Sequence, residues 1–153
     1  ASEDQALVDS VGRALFLAAR NNLGLLHVNC NEYPQADQAY QEALEIRRDL
    51  AATNSQTYLP YVATTLINWA ELSQKQENQL SLEQAKEALH ILIPFVEWMP
   101  RAKKLVGDVI IILQAWKLDP KTFLLQHNLP LDLLQYARKG SFLTRFLSLF
   151  KRY

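Results

Sequence analysis

Cysteine is nearly absent from this chain: Cys30 stands alone among 153 residues, so no disulfide can close within it and no cysteine-rich metal site can form. A single unpaired thiol fits a reducing compartment. Glycine and proline are also sparse, at 4 and 6 residues, few for a protein assembled from tight β-turns. The strict apolar–polar alternation of a half-buried strand occurs nowhere, so strands are not expected. No run of 18 apolar residues is present, as a membrane-spanning helix would need. The opening stretch, ASEDQALVDS, is acidic and polar, unlike a secretory signal, and a cytoplasmic setting is the expectation. Gly-rich phosphate loops, nucleophile elbows and zinc-spaced cysteine sets are missing too. Those absences argue against an enzyme and against a bound cofactor or metal.

What is there is ordinary globular material. Hydrophobic residues make up 49% and charged residues 21%, which suits one compact domain with a core and does not suit a disordered chain. The formal net charge of zero conceals an uneven distribution. Residues 1–99 carry 6 Lys/Arg against 13 Asp/Glu, whereas residues 100–153 carry 10 against 3. Such a dipole can steer partners or favour head-to-tail contact between copies; it also arises when the two ends of a helical stack simply solvate themselves differently.

Apolar residues recur at helical spacing. Leu15, Ala18, Ala19, Leu23 and Leu26 form one stripe, interrupted only by Asn22. Ala36, Ala39, Tyr40, Ala43, Leu44 and Ile46 line a second helix, and Val62, Leu66, Trp69, Ala70 and Ser73 a third. Small alanines let helix axes approach closely, and an aromatic ring fills the gap that remains. The pattern repeats. Asn68-Trp69-Ala70 follows Asn22-Leu23-Gly24 after 46 residues, and Glu87-Ala88-Leu89 echoes Glu42-Ala43-Leu44 after 45.

Polar breaks separate these stripes. The break at 29–34 puts Pro34 near the first turn of the next helix. The stretch 54–60 offers Thr57 as an N-cap with Pro60 in the first turn, and Asn78 or Ser81 can cap after the next break. Pro94 should kink or stop the helix that starts near Ser81. A strongly apolar helix then runs from Pro100 through Val106, Ile110 and Leu113 to Trp116, stopped by Asp119-Pro120. Short helices are predicted over 121–127 and 130–138, with a stop at Gly140 and a last amphipathic helix over 142–153. The organisation is thus a repeat region at 1–118, with units at 12–53, 57–99 and a partial one at 100–118, followed by a helical cap or tail at 119–153.

These residues resemble the tetratricopeptide repeat family, in the long-period form of multi-repeat bacterial proteins. Its pairing of a large apolar residue with Gly or Ala is matched by Leu23-Gly24 and Trp69-Ala70. Its Ala-aromatic-Ala pattern is matched by Ala36, Tyr40 and Ala43, with Ala36 thirteen residues after Leu23. The second unit departs from it, since Ser81 and Ala85 stand where Ala and an aromatic belong, while Ala88 is kept. The resemblance spans residues 12–99, with a degraded unit to 118. It implies an all-α superhelix of antiparallel helical hairpins, in which the first helix of each unit lines a concave groove for a peptide or protein partner. By position that groove would present Ala18, Asn21, Leu25, Val28 and Asn29, then Thr64, Ile67, Asn68, Glu71, Gln74 and Lys75. The implied function is a non-catalytic scaffold. Some members clamp a peptide carboxylate with paired Lys and Asn, but the first unit here lacks the Lys.

The remaining polar residues suggest no chemistry. His27, His90 and His127 are too scattered to share metal-ligand spacing on one helix. Glu42, Glu45, Glu83 and Glu87 should solvate helix faces or pair with Arg47, Arg48 or Lys86. Cys30 has no cation beside it to favour a thiolate. Trp69, Trp98 and Trp116 sit in helical patterns and are expected in the core. In the tail, Phe142, Phe146 and Phe150 join Leu143, Leu147, Leu149 and Tyr153 in a wide apolar face bordered by Arg145, Lys151 and Arg152. The first expectation is a cap that covers Val106, Ile110 and Leu113. The alternatives are peripheral binding to a membrane or other anionic surface, and self-association by insertion into a neighbouring copy. Nucleic-acid binding is not expected, because no binding motif accompanies the basic end.

Overall fold

The computed structural model of the chain describes residues 2–138. The tail calls at Phe142, Arg145, Phe146, Phe150, Lys151 and Arg152 lie outside the described residues, as does the stop at Gly140. Among the described residues all regular structure is helical. The α-helices are α1 (Ser2–Asn29), α2 (Tyr33–Thr53), α3 (Ser55–Lys75), α4 (Leu80–Leu92), α5 (Pro100–Ala115) and α6 (Pro120–Gln126). Two 3-10 segments, Ile93–Phe95 and Leu131–Tyr136, complete the described chain.

Each helix packs on the next, from α1 through α5, and α3 also touches both α1 and α5. The result is an all-α bundle of sequentially stacked helices. Helices α1, α3 and α5 form a front row, with α2 and α4 behind it.

Left-handed residues, none of them glycine, close four of these helices. Asn31, Glu77, Lys117 and Asn128 have φ of 58°, 55°, 57° and 55°. After α1 the Glu32 N–H donates to the His27 carbonyl at 2.7 Å, and the Asn31 N–H to Val28 at 3.0 Å. The same Schellman pairing recurs around Glu77, Lys117 and Asn128, so every front-row helix ends in one motif that satisfies its last carbonyls. This moves one expected boundary. Helix α5 stops at Ala115 because Lys117 turns the chain, not because Pro120 blocks it. Pro120 instead opens α6, whose N-cap Asp119 accepts from the Thr122 N–H at 3.2 Å and its hydroxyl at 2.7 Å.

The junction between α2 and α3 is tighter than the sequence suggests. Asn54 alone separates them: its N–H donates to the Leu50 carbonyl at 2.9 Å, and its side chain accepts from the Thr57 N–H at 3.2 Å. The cap is therefore Asn54 and not Thr57, and Pro60 lies in the second turn of α3. The carbonyl this leaves without a helical donor belongs to Gln56, which is exposed to water. Pro94 does stop α4, which tightens into the 3-10 segment Ile93–Phe95.

Two close approaches organise the core. The buried Tyr40 ring lies on Gly24 of α1, and a Cβ built on that glycine would meet Tyr40 Cε1 at 2.6 Å. Burial, and secondly the Glu71 carboxylate, raise the Tyr40 phenol above its ordinary value. The second is at Ser81, 45 residues after Ala36. It is fully buried, donates to the Ala70 carbonyl at 2.6 Å and accepts from Trp116 Nε1 at 3.0 Å, joining α3, α4 and α5. The departure from the repeat pattern at Ser81 is thus a hydrogen-bonding post that an alanine could not supply.

Two further expectations change. Trp98 is 60% exposed, its ring 5.8 Å from that of Phe95, and so is not a core residue. Val106, Ile110 and Leu113 share their core cluster with Phe123, Leu124, Leu129 and Leu133, so described residues give them the cover expected of the tail. The last 3-10 segment crosses α5 closely enough that a Cβ on Gly107 would meet the Tyr136 carbonyl at 2.8 Å.

Candidate interaction face

The front row carries most of the residues that the repeat pattern assigns to a groove. Asn68 Nδ2 of α3 donates to Asn21 Oδ1 of α1 at 3.3 Å, so these two meet across the row. Asn21 is buried by that contact, while Asn68 is half-buried. Leu25 remains 41% exposed beside them. Val28 is half-buried against the cluster of Ala36, Tyr40 and Leu72, and Asn29 is exposed at the helix end. Ile67 is buried in the main core and faces inward. Glu71 and Lys75 are exposed and lie 3.9 Å apart, a weak pair one turn from each other. Gln74 is half-buried, and the side chain of Ala18 lies outside the described part.

Thr64 connects α3 to α5 within the row. Its hydroxyl donates to the Pro60 carbonyl at 3.0 Å and accepts from Arg101 at 3.3 Å. The Arg101 guanidinium also lies 4.9 Å from the centre of the Tyr61 ring. A second guanidinium, that of Arg47 on α2, lies 5.5 Å from the same ring. Arg47 is only 6% exposed; one of its Nη atoms donates to the Tyr61 carbonyl at 3.0 Å and to the Thr65 hydroxyl. Burial, then repulsion from Arg101, lower its pKa to about 10, with Tyr61 opposing.

Arg47, Tyr61 and Arg101 were not among the groove residues read from the sequence. One signal did exist for Arg47, which falls in the apolar stripe of α2 between Leu44 and Leu50 and Ala51. No described carboxylate pairs with Arg47; of the four carboxylates expected to pair with Arg47, Arg48 or Lys86, three have partners. Glu42 pairs with Arg20 at 2.9 Å, Glu87 with Arg48 at 2.6 Å and Glu83 with Lys86 at 2.7 Å. Of the histidines, His27 lies 2.5 Å from Glu32 at the turn after α1, His90 is exposed, and the His127 ring centre lies 4.4 Å from that of Phe123, the planes tilted by 55°. Away from the row, a cleft of about 510 Å³ opens between the start of α4 and α6, walled by Leu80, Leu82, Leu118 and Phe123.

Fold and face together define an all-α protein of stacked helices whose front row carries amides, the exposed Leu25 and the exposed Arg101, with Arg47 of α2 buried beside it. No protein-family model matches the chain, and no curated protein or solved structure matches it either. Among the described residues no helix is long and apolar enough to cross a membrane.

Proposed function

We propose that this chain is a non-catalytic interaction module of the tetratricopeptide type, and that the row of α1, α3 and α5 holds an extended segment of a partner protein in a cytoplasmic setting. The observation that carries this reading is the Asn68–Asn21 contact beside an open Leu25. It gives one surface an apolar anchor point together with amide groups able to bond a peptide backbone. The ring of Tyr40 seated on Gly24, and the common ending of α1, α3 and α5, support a hairpin repeat as the frame.

A photo-crosslinking amino acid at position 25 tests it directly. Cells expressing that variant should yield a defined crosslinked partner, whereas the same group at Gln41, exposed on the opposite helix α2, should not. Equal labelling at the two positions, or none at 25, would remove the front row as the binding surface.

A further inference from the structure

We infer that the corner formed by Arg47, Tyr61 and Arg101 receives an acidic side chain of the bound peptide; this rests on the peptide-binding reading above. Burying a guanidinium is unfavourable unless an anion compensates it. Arg47 is 6% exposed, yet no carboxylate among the described residues lies within ion-pairing distance of it or of Arg101. Bringing a second guanidinium to the same ring adds repulsion, so the arrangement holds two like charges together with no counter-ion among the described residues. Nearby Lys104 does have a carboxylate, that of Asp108, whereas Arg101 has none among the described residues.

The corner is reachable and continuous with the peptide face. Tyr61 is 39% exposed, Arg101 is exposed, and Arg101 already touches Thr64 of the row. An Asp or Glu carboxylate seated on Arg101 above the ring edge would match the planar guanidinium fork and would lie in the field of the poorly solvated Arg47 charge. Arg101 makes the contact, whereas Arg47 acts through its charge.

The test is selection of random dodecapeptides displayed with their C-termini fused, so that only side chains can supply negative charge. Binders are expected to carry Asp or Glu at a recurring position. Replacing that residue by Asn or Gln in the free amidated peptide should weaken binding at least about tenfold by fluorescence anisotropy. Arg101→Gln, an exposed change whose melting curve should match wild type, should lose most of the preference for the acidic over the amide peptide, the remainder being owed to the Arg47 charge. Binders lacking a recurring acid, or an acid preference undiminished in Arg101→Gln, would overturn the inference and leave the peptide-binding reading standing. Failure to select any binder would overturn both.

Discussion

The ring of Tyr40 occupies the place where a side chain on Gly24 would start, with Cε1 2.6 Å from an ideal Cβ. Gly24→Ala therefore sets two effects against each other. Helix propensity favours alanine by about 1 kcal/mol. Overpacking against a ring with 1% exposure, which has nowhere to retreat, costs about 1–3 kcal/mol. A lower melting temperature for Gly24→Ala is expected, and Tyr40→Ala should cost about 3–5 kcal/mol by leaving the gap empty. A gain in stability for Gly24→Ala would mean that α1 and α2 do not approach this closely.

Ser81 links three helices through one hydroxyl, and Ser81→Ala removes both of its hydrogen bonds. Trp116 is only half-buried, so water can replace its lost acceptor. The cost should consequently be about 1 kcal/mol rather than the 3 kcal/mol of a fully orphaned donor. In a urea-melt cycle, Ser81→Ala and Trp116→Phe should be non-additive by at least about 0.5 kcal/mol. Simple additivity would argue that the two side chains do not interact in solution.

Glu77 and Lys117 hold positive φ without the local tolerance that asparagine has at Asn31 and Asn128. The strain of a left-handed residue is about 1–2 kcal/mol, against which glycine's extra unfolded-state entropy counts for about 0.4–1 kcal/mol. Glu77→Gly and Lys117→Gly should each raise stability by about 0.5–1 kcal/mol, read from denaturant midpoints. Asn31→Gly should gain less. Destabilisation at both charged sites would exclude the Schellman turns.

Arg47→Met should change unfolding free energy by no more than about 1 kcal/mol. Removing a buried charge that has no carboxylate partner among the described residues offsets the loss of its two hydrogen bonds. A loss above about 3 kcal/mol, the range for breaking a buried ion pair, would reveal a stabilising counter-ion for Arg47 in the free protein.

Much of this architecture was legible locally. The alanine-rich stripes, Pro34 at a helix start and Pro94 at a helix stop are short-range signals, each with a steric or hydrogen-bonding cause. Boundaries set by left-handed turns were less legible, because Glu77 and Lys117 carry no sequence mark of positive φ. Nothing local favours Asn54 over Thr57 as a cap, and a single-residue junction leaves no visible loop.

The sequence alone determined that the chain is helical and that Tyr40, Ala43 and Leu66 lie inside, since periodicity and side-chain volume act over neighbouring turns. Only tertiary structure decided which polar groups meet. That Asn21 bonds Asn68, that Ser81 holds Trp116, and that Arg47 and Arg101 share the ring of Tyr61 depend on how α1, α2, α3, α4 and α5 are rotated against one another. Those rotations follow from the packing of whole helix faces, and no local pattern encodes them.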